Sequence, residues 1–493
     1  MLDIQQVQQV PVKYLRQVGT GISHVGTQRN MIVTGGTVVT DSWSGRATVV
    51  VREGVVAAVL HPDEPVPDAS CCIPVIDAAG SLLLPGGVDP HTHIGMELGE
   101  YATRDGYREA TEAALWGGTT TVVDFAIPRP GQTPLDAVNE RQRAAVDGLC
   151  DAALHGCVIS WDADVPRQLA AMADLGVRTV KVFTTYRDVV MASADTVIRV
   201  MTAMRELGGL IYVHAEANHI VESDQGEAAR SGRINAANHA RTRSELAELT
   251  AVQEVLAAAR QVDAAVYFVH QTIPEAIHEV RRARETGVAA YTETCPHYLT
   301  LDDEMYAGEY PERYVCCPPL RTRASVDAVA SRVMNGQVEA IGSDHCCYSI
   351  AQKRENRADV RVMPNGLPGV ETRLPVTFTE LVKRRGLPVE RLVALLATNP
   401  ARLNGLYPRK GTIAPGSDAD LIIVDPKVAK VVTAKTLHMA TDYSPYEGRT
   451  LWGWPHTVIQ RGAVVLQGGI LETERCQSRC VPSQPIPNRQ LAC

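Results

Sequence analysis

The sequence predicts an α/β fold: a TIM-like (β/α)8 barrel with a small β-sandwich domain formed from both ends of the chain. Two observations favour this architecture. Apolar, strand-like runs alternate with helix-like segments from about residue 82 to residue 405, and eight parallel strands are the number that closes such a barrel. Short runs rich in β-branched residues, separated by glycine-containing turns, occur before and after this region, as is typical of antiparallel sheets.

These patterns divide the chain into four parts. Residues 1–30 are polar and rich in glutamine, and we predict that they form an N-terminal extension. Residues 31–81 and 406–475 form the predicted small β domain, and residues 82–405 form the predicted catalytic barrel. Residues 476–493 are polar and contain prolines, so we predict that they form a C-terminal tail.

The barrel prediction depends on eight runs that the alternation assigns to strands: 82–95, 119–126, 152–160, 179–183, 210–214, 265–270, 288–292 and 340–343. The helices predicted between them cover 104–115, 165–175, 195–207, 245–260, 274–286 and 324–335. A doubly wound open sheet is the alternative. It is disfavoured because no Gly-X-Gly-X-X-Gly motif follows the first strand, and because polar residues end many strands.

The composition is that of an ordinary globular protein. The 493 residues are 45% hydrophobic and 21% charged, with a formal net charge of −8. Nucleic acids and anionic membranes bind clustered Lys and Arg, so this charge argues against both partners. No uncharged stretch has the length of a membrane helix, and the first thirty residues lack the apolar segment of a secretory signal. Adjacent cysteines such as Cys316 and Cys317 do not suit disulfide geometry, so we expect reduced thiols and a cytoplasmic location.

The first predicted barrel strand ends in two histidines, His91 and His93. In an extended strand, residues two apart point to the same side, so both imidazoles would face one point. Active sites of (β/α)8 barrels lie at the carboxyl ends of the strands, where this pair is expected. The alternative is two polar residues in a loop after a core strand.

Other strands also end in residues that can bind a metal ion. The full set is His91 and His93 on the first strand, Lys181 on the fourth, His214 on the fifth, His270 on the sixth and Asp344 on the eighth. Taken singly, a histidine here could be a core residue and Asp344 could cap a helix. Together, four histidines and one aspartate supply nitrogen and hard oxygen without thiolate, which suits zinc or another borderline divalent ion.

Several short motifs resemble those of the amidohydrolase superfamily. They are Asp89–His93, Val180–Phe183, His214–Glu216, Val269–His270, Gly342–His345 and Gly411–Asp420. Two further segments, Met363–Arg373 and Cys316–Arg321, are similar to the dihydropyrimidinase and D-hydantoinase branch. The resemblance covers roughly residues 31–470.

The resemblance implies a site with two divalent cations, of which Zn²⁺ is the expected ion. In the family, a lysine carboxylated by CO₂ bridges the cations, and this residue corresponds to Lys181. His91, His93 and Asp344 would hold one ion, and His214 and His270 the other. Asp344 would act as general base and then general acid for a metal-bridging hydroxide.

The resemblance also implies how the substrate is held. Tyr186 corresponds to the tyrosine that donates to the developing oxyanion, and backbone groups around Cys317 and Asn365 would hold the –NH–CO– unit of the ring. The expected reaction opens cyclic ureides, such as 5-substituted hydantoins and dihydropyrimidines, to N-carbamoyl amino acids. The family further implies a homo-oligomer, a tetramer or a dimer.

Two departures from the family pattern concern substrate binding. Relatives usually have serine at the position of Cys317, and the segment 96–101 is more polar than the loop common in hydantoinases. Allantoinase and dihydroorotase are alternative enzymes, although Pro-Asn-Gly at 364–366 disfavours them. A non-enzymatic scaffold similar to the collapsin-response mediators is the alternative from another class, and such scaffolds lack several of the ligands present here.

Overall fold

The computed structural model describes residues 29–66 and 73–486, so the predicted extension at 1–30 lies almost wholly outside the described residues. The described part of the chain begins with short strands rich in valine. They are β1 Met31–Thr34, β2 Thr37–Val39, β3 Ser44–Arg46, β4 Thr48–Arg52, β5 Val55–Leu60, β6 Val75–Asp77 and β7 Leu82–Pro85. A four-stranded sheet has the order β5-β4-β1-β6, whereas β2, β3 and β7 join a second sheet.

The barrel follows directly. Its strands are β8 Gly87–Thr92, β11 Thr119–Ala126, β12 Asp151–Cys157, β13 Thr179–Phe183, β14 Leu210–His214, β15 Val266–Phe268, β16 Ala290–Thr294 and β17 Ala340–Ile341, with the hairpin β9 Glu97–Leu98 and β10 Tyr101–Ala102 after β8. Each strand pairs in parallel with the next. A bridge between Thr92 and His345 joins the two end strands. The predicted (β/α)8 barrel is confirmed.

The apolar run 82–95, predicted as one barrel strand, forms two strands in different sheets. Residues Leu82–Pro85 pair with the small β domain, and only Gly87–Thr92 enters the barrel. The chain turns between them at Gly86, where a Cβ atom would lie 2.1 Å from Thr120 Oγ1. Both strands are buried, so their apolar sequences look continuous although their sheets differ.

The helices of the barrel are α1 Tyr107–Trp116, α2 Pro134–Ala144, α3 Val165–Asp174, α4 Ala194–Glu206, α5 Asn218–Arg230, α6 Glu245–Val262, α7 Pro274–Glu285 and α8 Arg323–Met334. Short 3₁₀ segments lie at Ala145–Asp147, Ala236–Thr242, Pro296–Leu299, Asp303–Ala307 and Pro311–Tyr314. Two helices, α2 and α5, were not predicted. Both are mostly polar: α2 buries only Ala137 and Val138 completely, so its apolar periodicity is weak.

After the barrel the chain forms α9 Ile350–Glu355, α10 Arg373–Thr377, α11 Val389–Val393 and α12 Asn399–Leu403, with π-helical turns at Phe378–Arg384 and Ala394–Thr398. The last strands are β18 Leu421–Val424, β19 Ala429–Val431, β20 Thr450–Trp452, β21 Pro455–Gln460, β22 Ala463–Gln467 and β23 Ile470–Leu471, followed by a 3₁₀ turn at Thr473–Arg475. The second sheet has the order β23-β22-β21-β18-β7-β2-β3. Strands from both chain ends therefore share one sheet, as predicted.

This sheet lies between the four-stranded sheet and the barrel. Residues alternate between its two faces along β7 and β18. Leu83 and Ile423 pack with Val49 of the four-stranded sheet, which makes the sandwich core. Leu84 and Ile422 face the opposite way and join the core around the barrel helices. The small domain is thus fixed to the barrel by apolar packing.

A buried ionic cluster adds to this attachment. Lys410 Nζ lies 2.5 Å from Asp151 Oδ2, 2.9 Å from Asp418 Oδ2 and 2.6 Å from Asp420 Oδ2. Arg461 pairs with the other carboxylate oxygen of Asp151 and donates its backbone N–H to Asp420. Because Asp151 begins β12 and the other residues belong to the small domain, the cluster joins the two.

The predicted C-terminal tail is described as far as residue 486, and it crosses the amino-terminal end of the barrel. The backbone N–H groups of Val481, Ser483 and Ile486 donate to the carbonyls of Ala152, Gly176 and Gly208, which precede or begin barrel elements. The side chain of Ile486 is 6% exposed and packs in the barrel core. Among the described residues, no helix is long and apolar enough to cross a membrane.

Candidate active site

Three polar side chains meet where the first and last barrel strands adjoin. His91 lies in β8, His93 follows it, and Asp344 follows β17. The Nε2 atoms of the histidines are 3.2 Å apart, and Asp344 Oδ1 lies 3.1 Å from that of His91 and 3.3 Å from that of His93. Zinc–nitrogen bonds of about 2.0–2.1 Å in a tetrahedron place neighbouring donor atoms about 3.3 Å apart. The three atoms therefore have the spacing of ligands around one divalent cation.

A second histidine pair lies beside this cluster. His214 ends β14 and His270 follows β15, and Nδ1 of the first lies 2.9 Å from Nε2 of the second. The other ring nitrogen of His214 lies 2.6 Å from Glu216 Oε2, so its proton is directed to the carboxylate and Nδ1 keeps a lone pair. The His270 ring centroid is 5.5 Å from that of His91. The two clusters are therefore adjacent parts of one site.

The electrostatics of the first cluster favour positive charge on His91 but not on His93, because burial lowers the pKa of His93 to about 4. Burial lowers the pKa of His91, but Glu293 and Asp344 outweigh it and raise the value to about 9. Burial raises the pKa of Asp344, yet His91 and His93 together hold it well below its ordinary value. Glu293 Oε1 lies 2.6 Å from His91 Nδ1 and accepts the backbone N–H of His270. A divalent cation at this position would be stabilised by the same two carboxylates, Glu293 and Asp344, that raise the pKa of His91.

Lys181 lies within β13 and is 1% exposed. Its Nζ is 4.6 Å from the ring centroid of Phe125 and 4.9 Å from that of Phe183. Burial lowers the pKa of this lysine to about 8, although Asp344 and Glu293 oppose the shift. A larger fraction of the amine is therefore neutral near physiological pH, and the neutral amine is the form that can react with CO₂.

Tyr186 follows β13, with a left-handed backbone at φ +67°. Burial raises the pKa of its phenol well above the ordinary value, although Arg243 opposes the shift. The ring centroids of Tyr186 and His214 are 5.4 Å apart. The Cys317 Sγ atom also lies 3.9 Å from His239 Nε2. The structure thus brings the predicted oxyanion donor next to one of the histidine pairs, with the predicted substrate contact beside His239.

The segments around Cys317 and Asn365 are adjacent. The carbonyl of Val315 accepts the backbone N–H of Gly366 at 3.1 Å and Lys353 Nζ at 2.6 Å, which ties both segments to one point. Asn365 Nδ2 donates to its own segment at the Met363 carbonyl, whereas its Oδ1 is buried without a hydrogen-bond partner. Such an unpaired acceptor beside the candidate site can receive an N–H group from a ligand.

Two apolar clusters flank the site at the carboxyl ends of the strands. One contains Met96, Cys346 and Tyr348, and the other contains Cys157, Phe183 and Val190. Ile127 packs against both clusters. The side chain of Leu98, in the loop that we expected to meet the substrate, lies outside the described residues.

The buried charged residues that contact the candidate histidine ligands were not predicted from the sequence. Glu293 contacts His91, Glu216 contacts His214, and Arg243 Nη1 lies 2.5 Å from Glu216 Oε2. Burial raises the pKa of Glu216, but Arg243 and His214 outweigh it and lower the value to about 2. The spacing in His214-Ala-Glu216 offered a signal, because residues two apart face the same side of an extended chain. No sequence spacing points to Glu293, because its partner His91 is distant in the sequence.

Comparison with protein families agrees with this geometry. The model of the amidohydrolase family matches residues 82–465, which is most of the chain. The chain belongs to the amidohydrolase family. Among curated members, a D-hydantoinase of Streptomyces coelicolor is 36% identical over 88% of this chain and 94% of its own length. A dihydropyrimidinase of Rattus norvegicus is 33% identical over 93% of this chain and 90% of its own length. The predicted branch of the family is therefore confirmed.

Solved structures of amidohydrolases have the same architecture. The crystal structure of a dihydropyrimidinase from Brevibacillus agri is similar with a TM-score of 0.89 and 34% identity, covering 93% of this chain and 99% of that one. An L-hydantoinase from Arthrobacter aurescens is similar with a TM-score of 0.83 and 27% identity, covering 92% of this chain and 99% of that one. The similarity includes both the barrel and the small β domain.

Proposed function

We propose that this protein is a metal-dependent cyclic amidohydrolase that opens 5-substituted hydantoins and dihydropyrimidines to N-carbamoyl amino acids. The convergence of five ligand atoms supports this function best: the His91, His93 and Asp344 atoms lie 3.1–3.3 Å apart, and those of His214 and His270 lie 2.9 Å apart. The relatives named D-hydantoinase and dihydropyrimidinase support the substrate class.

The donor set suits two divalent cations, and its nitrogen and carboxylate oxygen ligands favour Zn²⁺. His91, His93 and Asp344 would hold one ion, and His214 and His270 the other. Lys181, carboxylated by CO₂, would contribute oxygen atoms to both. When bound, two such cations lower the pKa of a water molecule and polarise the amide carbonyl.

Asp344 has the position of the proton carrier. Its carboxylate is directed into the site by His91 and His93, and its low pKa keeps it ionised before the reaction. It accepts a proton from the attacking water, whose oxygen bonds to the carbonyl carbon. It then returns the proton to the ring nitrogen as the C–N bond breaks, so the carboxylate is regenerated.

Tyr186, Cys317 and Asn365 bind the substrate in this proposal. The Tyr186 hydroxyl donates to the carbonyl oxygen, where negative charge develops. The backbone at Cys317 and Asn365 holds the –NH–CO– unit, which selects a cyclic ureide over an ordinary peptide.

We also propose that the protein acts in the cytoplasm as a homo-oligomer, a tetramer or a dimer. Free thiols at Cys316, Cys317, Cys346 and Cys347 support a reducing compartment. The assembly follows from the resemblance to the family, and neither a nucleic acid nor a membrane is a proposed partner. Sedimentation of the metal-loaded protein measures the oligomeric state.

The decisive experiment is a substrate panel assayed with the Asp344→Asn variant. Metal-loaded wild type should release N-carbamoyl products from hydantoins and dihydrouracil, detected by mass spectrometry. Asp344→Asn should retain its fold and lose about 10²–10⁴-fold in kcat, since an amide cannot carry the proton. Asp195→Asn, which removes an exposed carboxylate paired with Arg199, is the matched control and should keep full activity.

Other outcomes separate the alternatives. Hydrolysis of allantoin or dihydroorotate without hydantoin turnover would point to those enzymes instead. Metal-loaded wild type that hydrolyses none of these compounds would contradict the enzymatic function and favour a scaffold. Asp344→Asn within a few-fold of wild type would assign the proton transfer to another group.

A further inference from the structure

Arg243 connects two parts of the candidate site that lie on different strands. The residue is 4% exposed and stands between the 3₁₀ segment Ala236–Thr242 and α6. Its guanidinium lies 4.6 Å from the ring centroid of Tyr186, and its Nη1 lies 2.5 Å from Glu216 Oε2. The same oxygen lies 2.6 Å from His214 Nε2. One cation therefore contacts both the tyrosine and the carboxylate behind a histidine.

Arg243 is itself held in place by the surrounding structure. Arg321 Nη1 donates to the Arg243 carbonyl at 2.6 Å, and Arg321 Nε donates to Thr272 Oγ1 at 2.9 Å. Arg321 also pairs with the buried Glu248 at 3.2 Å. The backbone of Arg243 is thus fixed by a buried network, so the orientation of its guanidinium is not set by Glu216 alone.

We propose that Arg243 is a positioning residue that packs against the ring of Tyr186 and aims its hydroxyl at the substrate carbonyl, while its Nη1 group holds the Glu216–His214 pair in place. The inference rests on the proposed function, in which Tyr186 donates to the oxyanion. Tyr186 has a left-handed backbone and is followed by exposed residues, so its ring depends on side-chain contacts for a fixed direction. A planar guanidinium can stack on a ring and bond a carboxylate simultaneously.

The variant Arg243→Lys distinguishes the contact with the Tyr186 ring from the ion pair with Glu216. Lysine keeps the positive charge and can pair with Glu216, but it lacks the planar fork that stacks on the ring. We expect kcat to fall about tenfold with KM nearly unchanged, because the ring of Tyr186 loses the planar group that packs against it. The metal content should stay at the wild-type level. Arg402→Lys is the matched control, because Arg402 also lies 4.6 Å from a tyrosine ring, that of Tyr407, and is paired with Asp41 outside the site.

A double-mutant cycle tests whether Arg243 acts through the tyrosine. Tyr186→Phe alone should lower kcat about 10²–10³-fold, as expected for one lost oxyanion donor. In the Tyr186→Phe background, Arg243→Lys should cost less than about twofold, because the hydroxyl that it positions is absent. An equal cost of Arg243→Lys in both backgrounds overturns the proposal. A loss of metal in Arg243→Lys would overturn the role towards Tyr186, since the loss of activity would then arise through Glu216 and His214.

A second measurement does not depend on activity. Nitration of Tyr186 by tetranitromethane, followed by peptide mass spectrometry, should be several-fold faster in Arg243→Lys because one ring face loses its cover. An unchanged nitration rate overturns the positioning role even if no substrate is turned over. If the wild type is inactive on every ureide but nitration accelerates in the variant, the proposed function fails while the packing role of Arg243 stands.

Discussion

Glu293 Oε1 lies 2.6 Å from His91 Nδ1, and both side chains are completely buried. The other carboxylate oxygen accepts the hydroxyl of Tyr267 at 2.8 Å. The imidazole therefore has one ring nitrogen fixed by a carboxylate and the other directed at Asp344. Carboxylates in this position orient a metal-binding histidine and increase its basicity.

Glu293→Gln should weaken metal binding about 10–100-fold, because the amide orients His91 without a negative charge. Chelator competition followed by elemental analysis measures the affinity. Glu248→Gln is the matched control, since Glu248 is equally buried but bonds Thr272 and Arg321 instead of a histidine. Wild-type metal affinity in Glu293→Gln would remove this residue from the metal site.

Lys181→Ala should abolish hydrolysis and lower bound metal, because the proposed carbamate, which would hold both ions, could not form. A ¹³C NMR carbamate signal from labelled bicarbonate should be present in wild type and absent in the variant. Lys353→Met is the contrasting variant: this buried lysine holds the Val315 carbonyl, so substrate binding should suffer while metal and the carbamate signal remain. Full metal content and normal turnover in Lys181→Ala would contradict the bridging role.

Lys410→Met should destabilise the folded protein by about 3–5 kcal/mol, because Asp151, Asp418 and Asp420 would be buried with less compensation. The denaturant midpoint measures this loss. The exposed Lys383→Met should change stability by less than about 0.5 kcal/mol. Equal midpoints for the two variants would show that the cluster contributes nothing to the attachment of the small domain.

The same cluster predicts a pH dependence. Burial lowers the pKa of Lys410, but Asp420, Asp151 and Asp418 outweigh it and raise the value above its ordinary level. A raised lysine pKa stabilises the folded state at all pH values below the unfolded pKa of about 10.4, and this stability is lost as pH rises through the folded value. The stability difference between wild type and Lys410→Met should therefore be constant near neutral pH and shrink only above about pH 10.

Val190→Ala should change the ratio of activities on bulky and small 5-substituted hydantoins while metal content stays constant. Val190 is 4% exposed and packs with Phe183 beside the candidate site, and a change of this size in an apolar pocket alters discrimination by about 1–3 kcal/mol. The neighbouring Val189 is 52% exposed, so Val189→Ala is the matched control. An unaltered ratio with retained activity would place the substituent elsewhere.

The parts of the fold that could be predicted from the sequence were predictable for one physical reason. Parallel barrel strands are buried on both faces, so each appears in the sequence as a continuous apolar run. The strand Leu210–His214, in which every residue is buried, is an example. Candidate ligands such as His214 and Asp344 end or follow those runs because barrel sites form at the strand ends. Helices α2 and α5 were missed because few of their side chains are buried. The single apolar run at 82–95 did not reveal that the chain passes from one sheet to another. Strands that are buried on both faces have the same apolar sequence pattern in either sheet.

The contacts behind the ligands could not be predicted for a different reason. Arg243 meets Tyr186, and Glu293 meets His91, only after the barrel closes. Nothing in the local periodicity distinguishes these charged residues from solvent-exposed ones. Buried charges of this kind are recognised from their partners, which are tertiary neighbours.

The seven-stranded sheet has a consequence for biosynthesis. Strand β7 needs β18 as its antiparallel neighbour, with Leu84 opposite Ile422, and the entire barrel is translated between them. Until the ribosome has released residue 424, β7 presents an unpaired apolar edge, which is the kind of surface that associates with other nascent chains. Pairings this distant in sequence also slow folding, because a long loop must close before the contact forms. Chains that terminate before β18 should therefore be captured by chaperones or aggregate, even when every residue of the barrel is present.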